Sequence, residues 1–162
     1  MASLGAARQA TVDDAAALTR LRGLMHLAMG DTPTPLWEAT CEAAFRRRLA
    51  TPDFVAFIVE LDGAVVSGGV GWLEEHLPSP YQVDARRGHI ASMSTDPASR
   101  RRGYGRLVFE ALMVWFAEQG VRRVDLRATP DGQQLYASFG FRVLGGATMA
   151  WTALGIRPGM TA

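Results

Sequence analysis

Lysine is absent from this chain, and arginine supplies all 17 of its strongly basic side chains. A Walker-type phosphate loop and a Schiff-base mechanism both need a lysine, so neither chemistry is available here. Cys41 is the only cysteine, which excludes an internal disulfide and a zinc site built on paired cysteines. The lone cysteine fits a reducing compartment, and we expect no bound metal.

Long apolar runs and a strong net charge are also absent. No run approaches the roughly 20 apolar residues of a membrane-spanning helix, and residues 1–5 lack the features of a secretory signal. The net charge of +1 is far from the basic excess of a nucleic-acid-binding protein. Length and composition fit one globular domain over residues 1–162. We therefore predict a soluble, cytoplasmic domain that binds neither membranes nor nucleic acids.

Apolar spacing and turn residues predict a mixed chain of the α+β class. Residues 54–61 are typical of a buried strand, Asp62-Gly63 of a hairpin turn, and 64–73 of the antiparallel partner. Prolines and charges without periodicity make 74–87 an exposed loop. The remaining predicted elements are a strand over 8–11, a helix capped by Asp13 or Asp14 that ends by Gly30, a loop over 31–35, a helix over 37–49, a strand over 88–95, a helix from about Gly105 to Gly120, a strand over 124–128, a helix over 133–139 and one or two closing strands over 141–151.

The segment from Arg100 to Gly105 joins the strand that ends near Thr95 to the helix that follows it. At such a junction the free N–H groups of the first helical turn and the helix dipole favour an anion. Gly103 and Gly105 have no side chains, so a pyrophosphate can approach the main chain directly, and the arginines nearby supply neutralising charge. A tight turn with solvated arginines is the alternative interpretation. The strand before and the helix after favour a phosphate site.

The same residues carry a family resemblance. Arg100-x-x-Gly103-x-Gly105 resembles the signature (Gln or Arg)-x-x-Gly-x-(Gly or Ala) of the GNAT superfamily of N-acetyltransferases. Pro97 lies where these enzymes often carry a proline, and residues 135–141 resemble the family's tyrosine-x-x-x-glycine-phenylalanine segment at the expected distance. Two motifs at the right separation are more specific than one. The resemblance is sharp from 88 to 141, and the N-terminal half matches by pattern alone.

The resemblance implies the GNAT-like fold, a mixed and mostly antiparallel sheet flanked by helices, with a strand-loop-helix site for acetyl-CoA as co-substrate. It implies that the main chain of Met93, Ser94 and Thr95 binds the pantetheine arm as a pseudo-strand. The residues implied to hold the pyrophosphate are Arg100, Arg101, Arg102, Gly103, Tyr104, Gly105 and Arg106. Many members carry an asparagine after the fifth strand, and this chain departs from the family there with Ala128-Thr129-Pro130.

Two residues are candidates for the proton transfers. Tyr136 matches the family tyrosine that donates a proton to the departing CoA thiolate, and a phenol with a pKa of about 10 is protonated at neutral pH. His89 is the candidate base, because it lies on the strand that leads to the loop and has a pKa range suited to neutral pH. Glu74, Glu75 or water could serve instead. Each of these residues could equally be structural.

The sequence carries less information about the acceptor than about the cofactor. The resemblance places its pocket near residues 29–37 and 74–87, with Trp37, Leu77 and Tyr81 available for apolar or cation-π contact. Arg86 and Arg87 could hold a substrate carboxylate. The carboxylates that could pair with an ammonium group are Asp31, Glu38, Glu74, Glu75 and Asp84. Because no long charged groove is evident, we predict a small-molecule primary amine as the substrate, attacked directly in a ternary complex.

Two other functions stay open at this point. The chain could be a sensor that binds acyl-CoA without turnover, or a protein N-acetyltransferase. A dinucleotide enzyme is disfavoured, because the glycine loop lacks the third glycine and the acidic residue that follows in such sites. The sequence leaves both a monomer and a homodimer open.

Overall fold

The computed structural model describes residues 5–146 and residue 149. The chain divides into two compact units, Met1–Arg127 and Ala128–Ala162, and the single-domain organisation stays a prediction. The described elements are, in chain order, β1 (Ala7–Gln9), a short 3-10 turn (Val12–Asp14), α1 (Ala15–Ala28), α2 (Pro35–Leu49), β2 (Phe54–Leu61), β3 (Ala64–Glu75), β4 (Arg86–Thr95), a second 3-10 turn (Pro97–Ser99), α3 (Tyr104–Glu118), β5 (Val124–Leu126) and α4 (Pro130–Ser138).

One five-stranded sheet in the order β1-β2-β3-β4-β5 forms the centre of the first unit. The first three pairings are antiparallel, and β4 and β5 are parallel. The change of direction follows from the connection, because α3 carries the chain back to the same end of the sheet before β5 begins. This mixed, mostly antiparallel sheet confirms the predicted fold class.

Glycines let α3 pack closely on one face of the sheet. A methyl group at Gly71 would lie 2.8 Å from Cζ of Phe116, and one at Gly88 would lie 2.4 Å from Cε1 of the same ring. Phe109 and Phe116 are almost completely buried, and burial of an aromatic side chain contributes about 2–3 kcal/mol. The helix that carries the predicted phosphate loop is therefore held firmly against the strands.

The first two helices cover the opposite face. Leu18 and Leu21 of α1 lie over Gly68, and a methyl group at Gly68 would be 3.1 Å from Cδ1 of Leu21. Phe45 of α2 packs in the same core cluster as Phe54 of β2. Since successive side chains of a strand alternate between faces, each functional residue on β3 or β4 can be assigned to the α3 face or to the α1–α2 face.

Several element boundaries differ from the prediction for identifiable reasons. The second helix begins at Pro35, not at residue 37, because the Thr34 side chain accepts the main-chain N–H of Trp37 and proline is favourable in the first turn. The strands on either side of the predicted loop 74–87 are longer than expected. Glu74 pairs with Arg87, so opposite charges face each other across the ladder.

The second unit contains α4, which begins at Pro130 and so three residues earlier than predicted. Residues 141–146 form no strand, so the predicted closing strands do not begin at Phe141. The rest of that prediction, up to Trp151, lies outside the described residues. Within the described part of the chain, no helix is both long and apolar enough to cross a membrane.

Candidate active site

A β-bulge interrupts β4 in the middle of its pairing with β3. Gly68 pairs with Ser94, but Val70 pairs with Ala91, so β4 has one residue more than its partner between these points. Ser92 adopts a positive φ of 54° in this stretch. Bulges bend and twist a strand and re-aim its main chain. The bulge therefore changes the course of β4 where the predicted pantetheine residues begin.

Beyond the bulge, one edge of β4 has no described strand beside it. The parallel pairing with β5 covers only Gly88–Ile90. Ser94 and Asp96 turn their main chain toward β3, since the N–H of Asp96 donates to the carbonyl of Val66 at 2.8 Å. Main-chain groups of alternate residues point to opposite edges. Met93 and Thr95 therefore direct their main-chain N–H and C=O groups toward the open edge, whereas those of Ser94 point toward β3.

Side-chain contacts fix the main chain at this edge. The Ser94 hydroxyl donates to the carbonyl of Leu21 at 2.8 Å, which ties β4 to α1. The hydroxyls of Ser67 and Thr95 lie 2.8 Å apart, and Ser67 is fully buried. Arg20 bonds the carboxylate of Asp96 at 3.0 Å, so the residue that leaves β4 is also anchored. The open edge is thus a rigid feature of the fold.

The loop from β4 to α3 has the conformation of an anion cradle. Gly103 is the N-terminal cap of α3 with a φ of 85°, a left-handed conformation that suits glycine. The Tyr104 side chain is buried and anchors the loop, so only its main chain is available to a ligand. The first bond from α3 back to the cap joins the N–H of Leu107 to the carbonyl of Gly103 at 3.1 Å. The N–H groups ahead of it in a helix have no acceptor in the helix itself.

Positive charge surrounds this helix end. Arg100, Arg101 and Arg102 are exposed, and the Nε of Arg100 donates to the carbonyl of Thr95 at 3.2 Å. Arg101 has a positive φ of 64°, which is uncommon for a residue with a side chain. Arg106 lies 3.8 Å from Glu110 on the first turns of α3. The cradle therefore combines helix N–H groups, the helix dipole and arginines, which together favour a phosphate.

His89 lies on the α1–α2 face, two residues before the bulge region. It pairs with Trp72 on one side and with Asp125 on the other. Its ring stacks on the Trp72 ring with 4.5 Å between centroids, and its side chain is 28% exposed. The base candidate is therefore held in place by an aromatic neighbour and is still open to a ligand.

The two glutamates proposed as rival bases lie on opposite faces of the sheet. An oxygen of Glu74 lies 4.0 Å from Nδ1 of His89, so this carboxylate is beside the base candidate. Glu75 pairs with Arg86, and Arg86 reaches the carbonyl of Gln119 at the end of α3. Glu75 therefore belongs to the α3 face and is separated from His89 by the sheet.

His76 is a neighbour of Glu74 that the sequence interpretation missed. Its Nε2 lies 3.0 Å from Oε2 of Glu74, and the Trp72 Nε1–H donates to Oε1 at 2.8 Å. The signal was the alternation of Trp72, Glu74 and His76 at every second position. It was hidden because this stretch was interpreted as a loop, in which alternation carries no meaning.

Tyr136, in the second unit, lies on α4 and is buried, with 9% of its surface exposed. Its ring lies over Gly132 one turn earlier, where a methyl group would be 2.9 Å from Cε2 of the tyrosine. Burial raises the pKa of the Tyr136 phenol above its ordinary value of 10.0. The phenol is therefore protonated at neutral pH, as a proton donor must be.

A groove of about 370 Å³ lies between α1 and α2. Leu24, Leu27 and Trp37 contribute apolar surface to it, and Glu38 and Glu42 contribute carboxylates. The groove is lined by Pro33 and Trp37 of the first predicted acceptor segment and by Glu38, one of the carboxylates predicted to pair with an ammonium group. Its volume is within the range of small-molecule sites, which is about 300–1,000 Å³.

Comparisons with known proteins agree with this geometry. The sequence model of the acetyltransferase (GNAT) family matches residues 21–141. No curated protein matches the chain. A predicted acetyltransferase from Clostridium acetobutylicum, solved with acetyl-CoA, is 22% identical and superposes with a TM-score of 0.80, over 89% of this chain and 94% of that chain.

Two further solved structures are similar in the same way. A GCN5-related N-acetyltransferase from Ralstonia eutropha is 29% identical, with a TM-score of 0.76 over 92% of this chain and 98% of that chain. A glucosamine-6-phosphate N-acetyltransferase from Arabidopsis thaliana is 19% identical, with a TM-score of 0.71 over 90% and 96%. The family match covers most of the chain, and the fold agrees with it. The chain therefore belongs to the acetyltransferase (GNAT) family and is an acyl-CoA-dependent acetyltransferase.

Proposed function

We propose that this protein transfers the acetyl group of acetyl-CoA to the primary amine of a small molecule, by direct attack within a ternary complex. The observation that carries the proposal is the open edge of β4, which leads from the bulge into the loop at Gly103. An extended pantetheine arm contains amide groups that pair with a strand edge, and its pyrophosphate fits a helix N-terminus with arginines. Both requirements are met along one continuous stretch of chain.

Acetyl-CoA is bound, in this proposal, by main-chain groups more than by side chains. Met93 and Thr95 pair with the pantetheine arm, while Ser94 holds the strand to its neighbours. The N–H groups of residues 103–106 and the exposed arginines 100–102 and 106 bind the pyrophosphate. The structure fits this ligand because Gly105 leaves the main chain accessible. A methyl group there would have Thr95 Oγ1, at 3.6 Å, as its nearest neighbour.

From an ammonium group, the chemistry removes two protons from nitrogen and supplies one to sulfur. His89 takes a proton from the ammonium form of the acceptor, and the neutral amine attacks the thioester carbonyl carbon. The C–S bond breaks, its electron pair leaves with sulfur, and Tyr136 gives the thiolate a proton. The nitrogen then loses its second proton to the tyrosinate or to water, which leaves a neutral amide. His89 is preferred to Glu75 because the latter lies on the other face of the sheet. An acceptor that binds as the free amine would need no base before the attack. Water would then take the proton that the nitrogen loses after it has attacked the thioester.

The size and charge of one groove support a small amine as the acceptor. The groove between α1 and α2 offers apolar surface and carboxylates in a volume suited to a small amine. The fold serves such an acceptor in the Arabidopsis enzyme that its name assigns to glucosamine-6-phosphate. A protein acceptor and an acyl-CoA sensor without turnover are the alternatives.

Release of free thiol from acetyl-CoA, followed across a panel of small amines and peptides, tests the proposal. We expect thiol release with one or more small amines and a mass increase of one acetyl group on the amine. Acetylation of peptides alone would replace the small-molecule acceptor with a protein. Tight binding of acetyl-CoA with no turnover on any amine would instead support the sensor.

A further inference from the structure

Glu74 forms the centre of a hydrogen-bonded cluster on the α1–α2 face of the sheet. Its Oε1 accepts the Trp72 Nε1–H at 2.8 Å, and its Oε2 lies 3.0 Å from Nε2 of His76. The bond with His76, followed by the one from Trp72, lowers the pKa of Glu74 below its ordinary value. The carboxylate is therefore ionised at neutral pH and fixed in orientation by two partners.

The Glu74 carboxylate lies beside the Nδ1 atom of His89. The oxygen that accepts from Trp72 is also the one 4.0 Å from Nδ1 of His89. Trp72 stacks on the His89 ring at 4.5 Å, so the ring is held between its neighbours with Nδ1 toward Glu74. A negative charge beside one ring nitrogen favours the proton on that nitrogen. The lone pair of neutral His89 is then on Nε2.

The other charged groups around His89 already contact residues other than His89. Asp125, its neighbour on β5, is bound by Arg123 at 3.0 Å. Arg87 faces Glu74 across the β3–β4 ladder. Arg48 of α2 lies over the Trp72 ring at 5.9 Å from its centroid. In the described part of the chain, Glu74 is the carboxylate that forms an ion pair with His89, at 4.0 Å.

We propose that Glu74 is a positioning residue for the transfer reaction, which holds the proton of neutral His89 on Nδ1 and stabilises the imidazolium that forms when His89 takes a proton. This inference rests on the proposed role of His89 as the base. The proton moves from the acceptor's ammonium nitrogen to Nε2, which leaves a neutral amine and a positively charged ring. Glu74 stays ionised throughout and touches neither substrate.

The test is the variant Glu74→Gln, with Glu75→Gln as the matched control. Glutamine keeps an oxygen that can accept from Trp72, removes the negative charge and places an amide NH2 group where Oε2 faces His76. The control removes the same charge one residue away, on the opposite face of the sheet. Both variants are followed by NMR titration of the histidine ring protons and by the pH dependence of kcat/KM. The chain has three histidines, so single substitutions of His26 and His76 assign the signals.

Loss of a neighbouring negative charge makes the imidazolium less stable. We expect the NMR titration curve of His89 in Glu74→Gln to lie at lower pH than in the natural protein, because the charge that stabilises the imidazolium is gone. The acidic limb of kcat/KM should move in the same direction. The plateau rate should fall about tenfold because less of the neutral ring carries the lone pair on Nε2, while KM for acetyl-CoA is unchanged. Glu75→Gln should leave the midpoint and the limb where they are.

An unchanged His89 midpoint in Glu74→Gln, or an equal shift in Glu75→Gln, would overturn the inference. Failure of the proposed function has a different signature. If no amine is acetylated by the natural protein, the acceptor proposal fails, and the NMR titrations still decide whether Glu74 controls His89. If the midpoint moves but the acidic limb does not, the charge coupling exists without a role in the rate, which also refutes positioning for catalysis.

Discussion

The phosphate cradle can be tested at Gly105 without damage to the fold. Gly105 is the second residue of α3, a position at which an acidic side chain favours the helix dipole by about 0.3–1 kcal/mol. The substitution Gly105→Glu should therefore preserve or improve folding and at the same time place a carboxylate in the anion site. Gly105→Ala is the matched control, because its methyl group would be 3.6 Å from Thr95 Oγ1, an ordinary contact distance.

The size of the effect follows from charge repulsion. A carboxylate about 5 Å from a phosphate charge costs about 3 kcal/mol at an effective dielectric constant of about 20, which is roughly a 100-fold loss of affinity. Acetyl-CoA at about 100 times its Kd stabilises a protein by about 2.7 kcal/mol, or about 5–10 °C in Tm for a chain of this length. After a 100-fold loss of affinity, the stabilisation falls to about 0.4 kcal/mol, or about 1 °C.

The assay is a thermal melt with and without acetyl-CoA, supported by calorimetric binding. Gly105→Glu should melt normally alone and lose most of the ligand-induced shift, while Gly105→Ala keeps the shift. Gly103 is a less informative position, because at a φ of 85° any side chain costs about 1–2 kcal/mol of stability in the absence of ligand. A Gly105→Glu protein that is stabilised by acetyl-CoA as strongly as the natural protein would refute the cradle.

Three further predictions concern catalysis and stability. Tyr136→Phe should lower kcat about 100-fold in a thiol-release assay and leave the acetyl-CoA melting shift intact, because only the proton donor is removed. Gly88→Ala should lower the free energy of unfolding in urea by about 1–3 kcal/mol, because its methyl group would be 2.4 Å from Phe116 Cε1, whereas Gly145→Ala meets nothing within 4 Å and should have little effect. The pKa of Asp14 is lowered below 3.8, chiefly by hydrogen bonds with its arginine partner. The ionised Asp14 carboxylate, paired with Arg8, therefore stabilises the fold above pH 3.8, and this stabilisation is lost as the pH falls further. In Asp14→Asn, the free energy of unfolding should depend less on pH in this acidic range.

Strong local signals predicted the elements that matched best. The second strand has the predicted bounds, 54–61, because a run that is apolar except for Glu60 ends at Asp62-Gly63, a pair suited to a tight hairpin turn. Helix α3 was predicted to within a residue at its start, since a wide apolar stripe follows the glycines. By contrast, β3 and β4 extend into charged residues on either side of a segment that contains prolines. Local propensity disfavours strands there, and cross-strand pairing of opposite charges outweighs it.

The site was predictable in part, for a related reason. Residues 100–106 were identified because glycine and arginine types at fixed spacing carry their own chemistry. The bulge was not predicted, because Ser92 is an ordinary strand residue. Its positive φ arises from the register of β4 against β3. The neighbourhood of His89 also depends on register, since Trp72 and Glu74 come from another strand. Pairings between distant segments leave little trace in a single sequence.

Backbone strain in the described part of the chain points to the same place as the chemistry. Three residues other than glycine have a positive φ, namely Asp62, Ser92 and Arg101. The first is explained by its hairpin turn, where this conformation is required. The other two lie at the two ends of the stretch that combines the open strand edge with the phosphate loop. Each costs about 1–3 kcal/mol and persists only where the surrounding structure enforces it, and the bonds of Ser94 to Leu21 and of Asp96 to Arg20 hold the main chain between them. The two strained residues therefore fall within the stretch that we propose as the acetyl-CoA site, which is where strain is expected if the main chain is held ready for a ligand.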